Sequence, residues 1–422
     1  MASAPKKLNL AEVTAIGIGG MIGGGIFAVL GLAIATAGHA VVFTLLAGGV
    51  VALLTGLSYA RLGLAFRGDG GSFTYILQGF GPSVAGMAGW VLVAGYVGTL
   101  SLYASAFSTY GATLLGMADS TLLRDGLAAL VIGGFLAVNL RGAKLSGGVE
   151  LAVVLAKLAI LALFAVAGLT TAHAGALVPA FDNGFVTPLV AAALIFVAYE
   201  GFELIPNAID EMADPARNLP RAIIIAIVVT TFIYVLVAAT ALANLSLPQI
   251  LHDQEYVLAV AARPALGQAG FALIGIAALL STASAINATL FGASRLTMVM
   301  AEEGALPPLF ARRTPGQAVP HAALMALSGL SLLLTLTAGL ESISLFASVT
   351  FLLIFAGVNF AGLRLAGRIG LNRLTPLAGG VLATLSVGVL LWHDGRSDPK
   401  QLVILLVCYG AALAARLVWR PA

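Results

Sequence analysis

The chain has 422 residues, of which 60% are hydrophobic and 9% charged, with a mean hydropathy of +1.04. Soluble domains carry roughly 25% charged residues, so the composition excludes a soluble protein and specifies a polytopic membrane protein. The net charge of +3 is spread along the flanks of apolar stretches and gives no sign of a nucleic-acid partner, while a single Cys408 rules out an internal disulfide.

Runs of about 20 apolar residues predict twelve transmembrane helices, at 12–36, 40–65, 84–116, 123–140, 147–170, 186–209, 219–243, 268–300, 320–339, 342–364, 375–392 and 401–419. The opening MASAPKKLNL leads into a full-length span without a cleavable-signal pattern and reads as a cytoplasmic tail. With that end inside, only Arg124, Arg263, Arg396 and Lys400 fall outside, and Lys157 falls within a span. The other sixteen of the 21 Lys and Arg residues, Lys6, Lys144 and Arg420 among them, fall on the cytoplasmic side. That bias and the even span count predict both termini in the cytoplasm. Two loops are long: Asp210–Arg221 (DEMADPARNLPR), and Ser246–Gly267, whose amphipathic middle reads as a short helix over the extracellular mouth. A single membrane domain accounts for the whole chain.

The first span contains Ile16–Phe27, IGIGGMIGGGIF, with glycines at 17, 19, 20, 23, 24 and 25. Each glycine costs about 1 kcal/mol against alanine in a helix interior, so the cluster marks unwinding. In lipid, unwound backbone is tolerated only where it lines a cavity or meets a ligand. Gly23, Gly24 and Gly25 are thus candidates for amides that start the second half of a broken helix and bind an anion such as a carboxylate. The alternative is close packing through small residues. The sixth span contains a second interruption, Phe196–Asn207 (FVAYEGFELIPN), where Gly201 permits unwinding and Pro206 removes a helix hydrogen bond. Broken first and sixth helices divide the chain into five, five and two helices. An odd-numbered repeat makes the two fives inverted copies that meet at the membrane midplane, here 11–170 and 186–365, with 374–420 as two additional helices.

Three charges lie deep inside spans, away from their ends. Lys157 is about ten residues into the fifth, near the bilayer centre at 1.5 Å per residue, where a charge costs on the order of 3 kcal/mol or more. It is a candidate proton carrier, the alternative being a permanently paired structural lysine. Glu200 and Glu203 in the sixth span are candidates for an amine-binding carboxylate and a gate or proton partner, and spacing does not say which faces the cavity. Ser281, Thr282 and Ser284, with Asn287, are candidates for holding an ion or ammonium group, though membrane hydroxyls commonly bond their own helix. Phe27, Phe196, Tyr199 and Phe202 are wall or gate candidates. His39, His173, His252, His321 and His393 lie at span ends or in loops without ligand spacing, and no nucleophile–base pair or phosphate loop is present. No enzyme activity, cofactor or metal is expected.

IGIGGMIGGGIF, FVAYEGFELIPNAIDEMADPARNLPRAI and STASAINATLFGASRLTMVMAEEGALP resemble the first, sixth-to-seventh and eighth helix motifs of the APC (amino acid, polyamine and organocation) transporter superfamily, nearest to its proton-coupled, broad-specificity ApcT-type members. The resemblance implies a LeuT-type fold of ten core helices plus two. It implies that Gly23, Gly24 and Gly25 hold the carboxylate of an amino acid, and that carbonyls of Met21 and Ile22 on one side and Phe196, Val197 and Tyr199 on the other hold its amino group. It also implies that Lys157 replaces a coupling sodium ion beside the Gly19 carbonyl and the hydroxyls of Ser281 and Ser284. Phe27, Phe202 and Glu203 remain gate candidates. Glu200 departs from the pattern, because the superfamily commonly has an apolar residue there. The expectation is an all-α transporter of the cytoplasmic membrane, surrounded by lipid, that imports amino acids with protons by alternating access. An exchanger or a carrier of polyamines or other organic cations is the alternative within the superfamily; a channel, a membrane enzyme and a receptor are the alternatives outside it.

Overall fold

The computed structural model describes residues 7–68, 70–142, 147–173, 178, 180–313 and 319–419, so Lys6, Lys144 and Arg420 lie outside the described residues. In chain order the helices are α1 (Leu10–Met21), α2 (Gly25–Ala37), α3 (Val41–Ala65), α4 (Gly71–Phe80), α5 (Pro82–Leu114), α6 (Thr121–Leu140), α7 (Gly147–Gly168) and α8 (Thr187–Leu194). There follow α9 (Pro215–Asn244), α10 (Leu247–His252), α11 (Val257–Ala261), α12 (Arg263–Glu302), α13 (His321–Thr337), α14 (Leu340–Ile369), α15 (Leu374–Ser397) and α16 (Pro399–Val418). Short 3₁₀ helices at Phe196–Tyr199 and Phe202–Glu211 separate α8 from α9. No strand longer than a single bridge occurs among the described residues.

This architecture follows from the solvent that the sequence implies. Backbone amides and carbonyls in hydrocarbon must bond within their own segment, which leaves helices as the solution for single apolar spans. Among the described residues nine continuous helical stretches are long and apolar enough to cross a membrane, and α8 with its 3₁₀ continuation, bent by 57°, makes a tenth. The shorter apolar helices α1 and α13 accompany them. The chain is therefore an all-α, polytopic integral membrane protein.

Helices approach through small residues, as bilayer-embedded bundles do. On α3, Gly49 lies against Thr231 of α9, and Gly56 against Ile223 and Ile227; an added Cβ would sit 2.6 Å and 2.7 Å from these side chains. Some polar groups in the interior are paired across helices: Asn359 of α14 donates to Thr55 Oγ1 at 2.8 Å and accepts from Ser58 Oγ at 2.7 Å. Leucines and valines such as Leu130, Leu406 and Val407 on α6 and α16 face outward, where lipid tails would cover them.

Several boundaries depart from the expected ones for local reasons. The stretch between the second and third spans folds into α4, whose mixed composition hides it from an apolar-run count. The loop expected at Asp210–Arg221 is shorter, because Pro215 starts α9 at a position where proline lacks no needed amide, and Pro220 is tolerated in the first turns. The cap over the mouth is α10, a 3₁₀ turn and α11 in place of one helix, pinned by Arg124 to Glu255 at 2.6 Å.

Both ends of the first broken helix are tied down. On the N-terminal face, Asn9 and Glu12 form a capping box on α1, and Leu8 pairs with the chain after the second 3₁₀ helix (Leu8 N to Glu211 O 2.8 Å, Ala213 N to Leu8 O 2.9 Å). On the opposite face, Gly38 adopts φ +59° at the end of α2, and the His39 ring meets Asp182 at 2.6 Å. Burial opposes ionisation of Asp182, but hydrogen bonds from the His39 side chain and amide outweigh it and hold this carboxyl below its ordinary range. A carboxyl depressed in the folded state contributes stability above its unfolded value, and that contribution is lost as pH falls through the lower folded value. Asp182→Asn should therefore destabilise the purified protein by about 1 kcal/mol or less. The difference in thermal melting from the parent should persist from pH 8 to 5 and shrink only below about pH 4.

Candidate substrate site at two helix breaks

The last intrahelical bond of α1 runs from Ile22 N to Ile18 O (2.7 Å), and the first of α2 from Ala28 N to Gly24 O (2.9 Å). The carbonyls from Gly19 to Gly23 and the amides from Gly23 to Phe27 thus fall outside both helical ladders. The amides gather at the positive end of α2, a ready-made anion site. In the second break, Glu200 is extended (φ −63°, ψ 139°) and Gly201 takes φ +132°, a conformation that strains any side-chain-bearing residue.

The two breaks meet backbone to backbone. A Cβ on Gly20 would lie 2.8 Å from Gly201 Cα, one on Gly25 2.7 Å from Ala198 Cα, and one on Gly201 2.5 Å from the Met21 amide nitrogen. Gly23 faces Ala285 of α12, and Gly24 faces the Tyr103 ring of α5 and Thr282. The glycines of the first span therefore serve both unwinding and close packing.

Side chains from α9 and α14 satisfy the unwound backbone, and tyrosine hydroxyls make two further ties around it. The Tyr234 hydroxyl on α9 lies 2.5 Å from the Met21 carbonyl and 2.7 Å from that of Ala198, joining the breaks through one donor. Ser348 of α14 accepts from the Val197 amide at 3.0 Å and donates to the Leu194 carbonyl at 2.7 Å, with Ser344 donating to the same carbonyl at 2.8 Å. Tyr199 donates to Leu45 O of α3 at 2.5 Å, and Tyr110 to Phe27 O at 3.3 Å. The Val197 carbonyl already accepts from Glu200 N at 3.1 Å.

The two glutamates separate as the bend requires. Glu200 Oε2 accepts from Thr99 Oγ1 of α5 at 2.6 Å, while Glu203 Oε2 turns back to cap the Gly201 amide at 2.7 Å. Both are 3% exposed. Glu203 Oε1 is buried with no hydrogen-bond partner among the described residues. Phe202 packs into an aromatic cluster with Tyr59 (5.6 Å between centroids) and Phe355 (5.2 Å), and Phe196 joins it at 5.9 Å from Phe355. Phe27 meets Tyr110 edge-on at 6.0 Å. Met21, Ile22, Phe27, Phe196, Val197, Tyr199 and Phe202 are all fully or almost fully buried, so the site is closed to both faces.

Lys157 is 3% exposed on α7, which packs against α1, α9 and α12. Ser281 of α12 is fully buried, and its hydroxyl has no hydrogen-bond partner among the described residues, whereas Thr282 bonds back to Ala278 O at 2.8 Å. Ser284 is half-buried. Asn287 is taken up by a structural link, accepting from Asn139 of α6 at 2.9 Å. No group of three His, Cys, Asp or Glu residues placed to hold a metal occurs among the described residues.

Sequence reasoning missed Tyr234, Thr99 and Ser348. A tyrosine or a hydroxyl in the middle of an apolar helix is the available signal, but nothing in its spacing names the carbonyl or carboxylate that it reaches.

Gly201→Ala should therefore cost roughly 3 kcal/mol or more, since both its φ and a rigid backbone neighbour oppose a Cβ. Gly133→Ala on α6, where a Cβ meets nothing within 4 Å, should be neutral or slightly stabilising; thermal melting of the two variants checks the contrast. Tyr234→Phe, which strips two buried carbonyls of their donor, should cost about 1–3 kcal/mol in the same assay.

Residues 8–388 match the family model described as amino acid permease. The chain is 33% identical to the inner membrane transport protein YbaT of Escherichia coli over 92% of its own length and 91% of that protein's. It is 29% identical to the vacuolar cationic amino acid transporter 8 of Arabidopsis thaliana (90% and 68% of the two chains) and 26% identical to the branched-chain amino acid permease BcaP of Bacillus subtilis (85% and 80%). A match across almost the whole chain, on an all-helical membrane fold whose two broken helices meet in its interior, leaves one assignment: the chain belongs to the amino acid permease family of the APC superfamily, and is a membrane transport protein and not an enzyme.

Proposed function

We propose that the protein imports amino acids together with protons by alternating access, across a cytoplasmic membrane with both termini in the cytoplasm. In this reading twelve spans form a LeuT-type fold, with inverted repeats at 11–170 and 186–365 and two further helices at 374–420. The observation that carries it is the buried meeting of Gly20, Met21 and Gly25 with Ala198 and Gly201, which gathers amides and carbonyls freed from two helices. The amides of Gly23, Gly24 and Gly25 bind the substrate carboxylate. Carbonyls of Met21, Ile22, Phe196, Val197 and Tyr199 surround its amino group. Tyr234 engages one of the two lone pairs on the Met21 oxygen, which leaves the other for the substrate.

Lys157, the Gly19 carbonyl, Ser281 and Ser284 form the proton site in this proposal. The unbonded, fully buried Ser281 hydroxyl supports it, because a buried polar group without a partner is costly unless something else engages it. Protonated Lys157 steadies the first break while the site is open outward, and inward opening changes its surroundings so that the proton leaves. Phe27, Phe202 and Glu203 gate the two sides. Uptake into proteoliposomes under an imposed inward proton gradient tests the scheme. Lys157→Ala should lose gradient-driven uptake, and equal uptake with unchanged pH dependence would contradict the coupling.

Glu200 favours a second reading, an exchanger or a carrier of cationic amino acids and other organic cations, since it places a buried carboxylate at the break, held by Thr99. In counterflow, Glu200→Gln should then reduce arginine transport about tenfold or more relative to alanine, roughly the loss of one buried charge contact. An equal effect on both substrates would remove this reading.

A further inference from the structure

Two adjoining cavities open on the face opposite the N-terminus. The larger, of about 410 Å³, lies between the outer end of α2, the cap, and the starts of α14 and α16. The smaller, of about 270 Å³, lies between α2, α8, α14 and α15. Both are lined by Glu341, Asp398 and Gln401. The smaller is also lined by Val190 and Leu194 of α8. Leu194 is the last residue before the second break, and its carbonyl is held by Ser344 and Ser348. The smaller cavity thus reaches the helix end from which the second break departs.

Asp394 of α15 lines the smaller cavity at only 9% exposure, and among the described residues its carboxylate takes neither a hydrogen bond nor an ion pair. The other charges differ from it. Asp398 caps the start of α16 by accepting from Lys400 N at 3.2 Å, Glu341 sits in the first turn of α14, and Glu255 is neutralised by Arg124. Lys400 lines the outer cavity and half-buried His393 the inner one. Carboxylates remain in excess, deepest at Asp394. These groups form no cluster able to hold a metal ion among the described residues, and cavities of about 410 and 270 Å³ beside an excess of carboxylates have room for a larger, organic cation.

We propose that these cavities form an outer vestibule that binds an organic ammonium or guanidinium group, with Asp394 as its deepest contact and Glu341 and Asp398 at its rim. Resting on the transport reading above, the vestibule is a recruitment site that a cationic substrate occupies before the helix breaks open to it. It needs no carboxylate on the ligand, and so differs from the central site, where glycine amides require one.

Titration of 1,4-diaminobutane, a dication without a carboxylate, into the full-length protein in detergent tests this by isothermal calorimetry. Saturable binding is expected, weakened about fivefold or more by Asp394→Asn, the scale of one ion-pair contact, and undiminished by saturating alanine. Glu341→Gln, at an exposed position, carries the same test if the Asp394 variant does not fold. Absence of binding to the parent protein, binding unaltered in both variants, or displacement by alanine would overturn the vestibule. Absence of alanine uptake by the parent protein in proteoliposomes, with diamine binding retained, would instead overturn the transport reading and leave the vestibule standing.

Discussion

Everything in the interior depends on one contact, in which the backbone of Gly20 and Met21 touches Gly201 while Gly25 touches Ala198. In an apolar medium an unwound peptide is stable only if its amides and carbonyls find partners, and two breaks facing each other concentrate that demand in one place. Helices around them are built to meet it. Tyr234 reaches carbonyls of both breaks, Ser344 and Ser348 secure the end of α8, and Thr99 holds Glu200. Among the described residues no side chain is seen to accept from the amides at the start of α2, which is the physical reason for proposing that a ligand takes them.

The same contact links the two faces. α1 and the second 3₁₀ helix run from the breaks toward the N-terminal face, where Leu8 pairs with the chain at Glu211 and Ala213; α2 and α8 run to the other, where His39 meets Asp182. Each broken helix therefore has one half in each closure. A rotation of the outer halves against the inner halves would open one face while the other remains sealed, with glycine-rich breaks taking up the change in backbone angle. Alternating access in the proposed cycle needs that division.

Much of this was legible in the residues. The glycine run at 17–25, and the pairing of Gly201 with Pro206 in FVAYEGFELIPN, announced two interruptions, because no uninterrupted membrane helix tolerates so many residues of low helix propensity. Burial of Lys157, Glu200 and Glu203 followed from their depth in apolar runs. What spacing could not supply was the partner of each group. Glu200 and Glu203 share a face on an ideal helix, yet the turn at Gly201 sends one to α5 and the other back to its own backbone. Tyr234 looked like any aromatic in a span, and α4 lacks the apolar run that marks a membrane helix. Asp394 carries no signal in its own segment, since its burial comes from neighbouring helices distant in sequence.

The assignment of the α2 amides to a substrate carboxylate is tested most directly by a structure of the protein with a bound amino acid. The account predicts density for the carboxylate within about 3 Å of the Gly24 and Gly25 amides, and the amino group among the carbonyls of the two breaks. An amino acid bound elsewhere, with those amides engaged by protein groups or water alone, would contradict it.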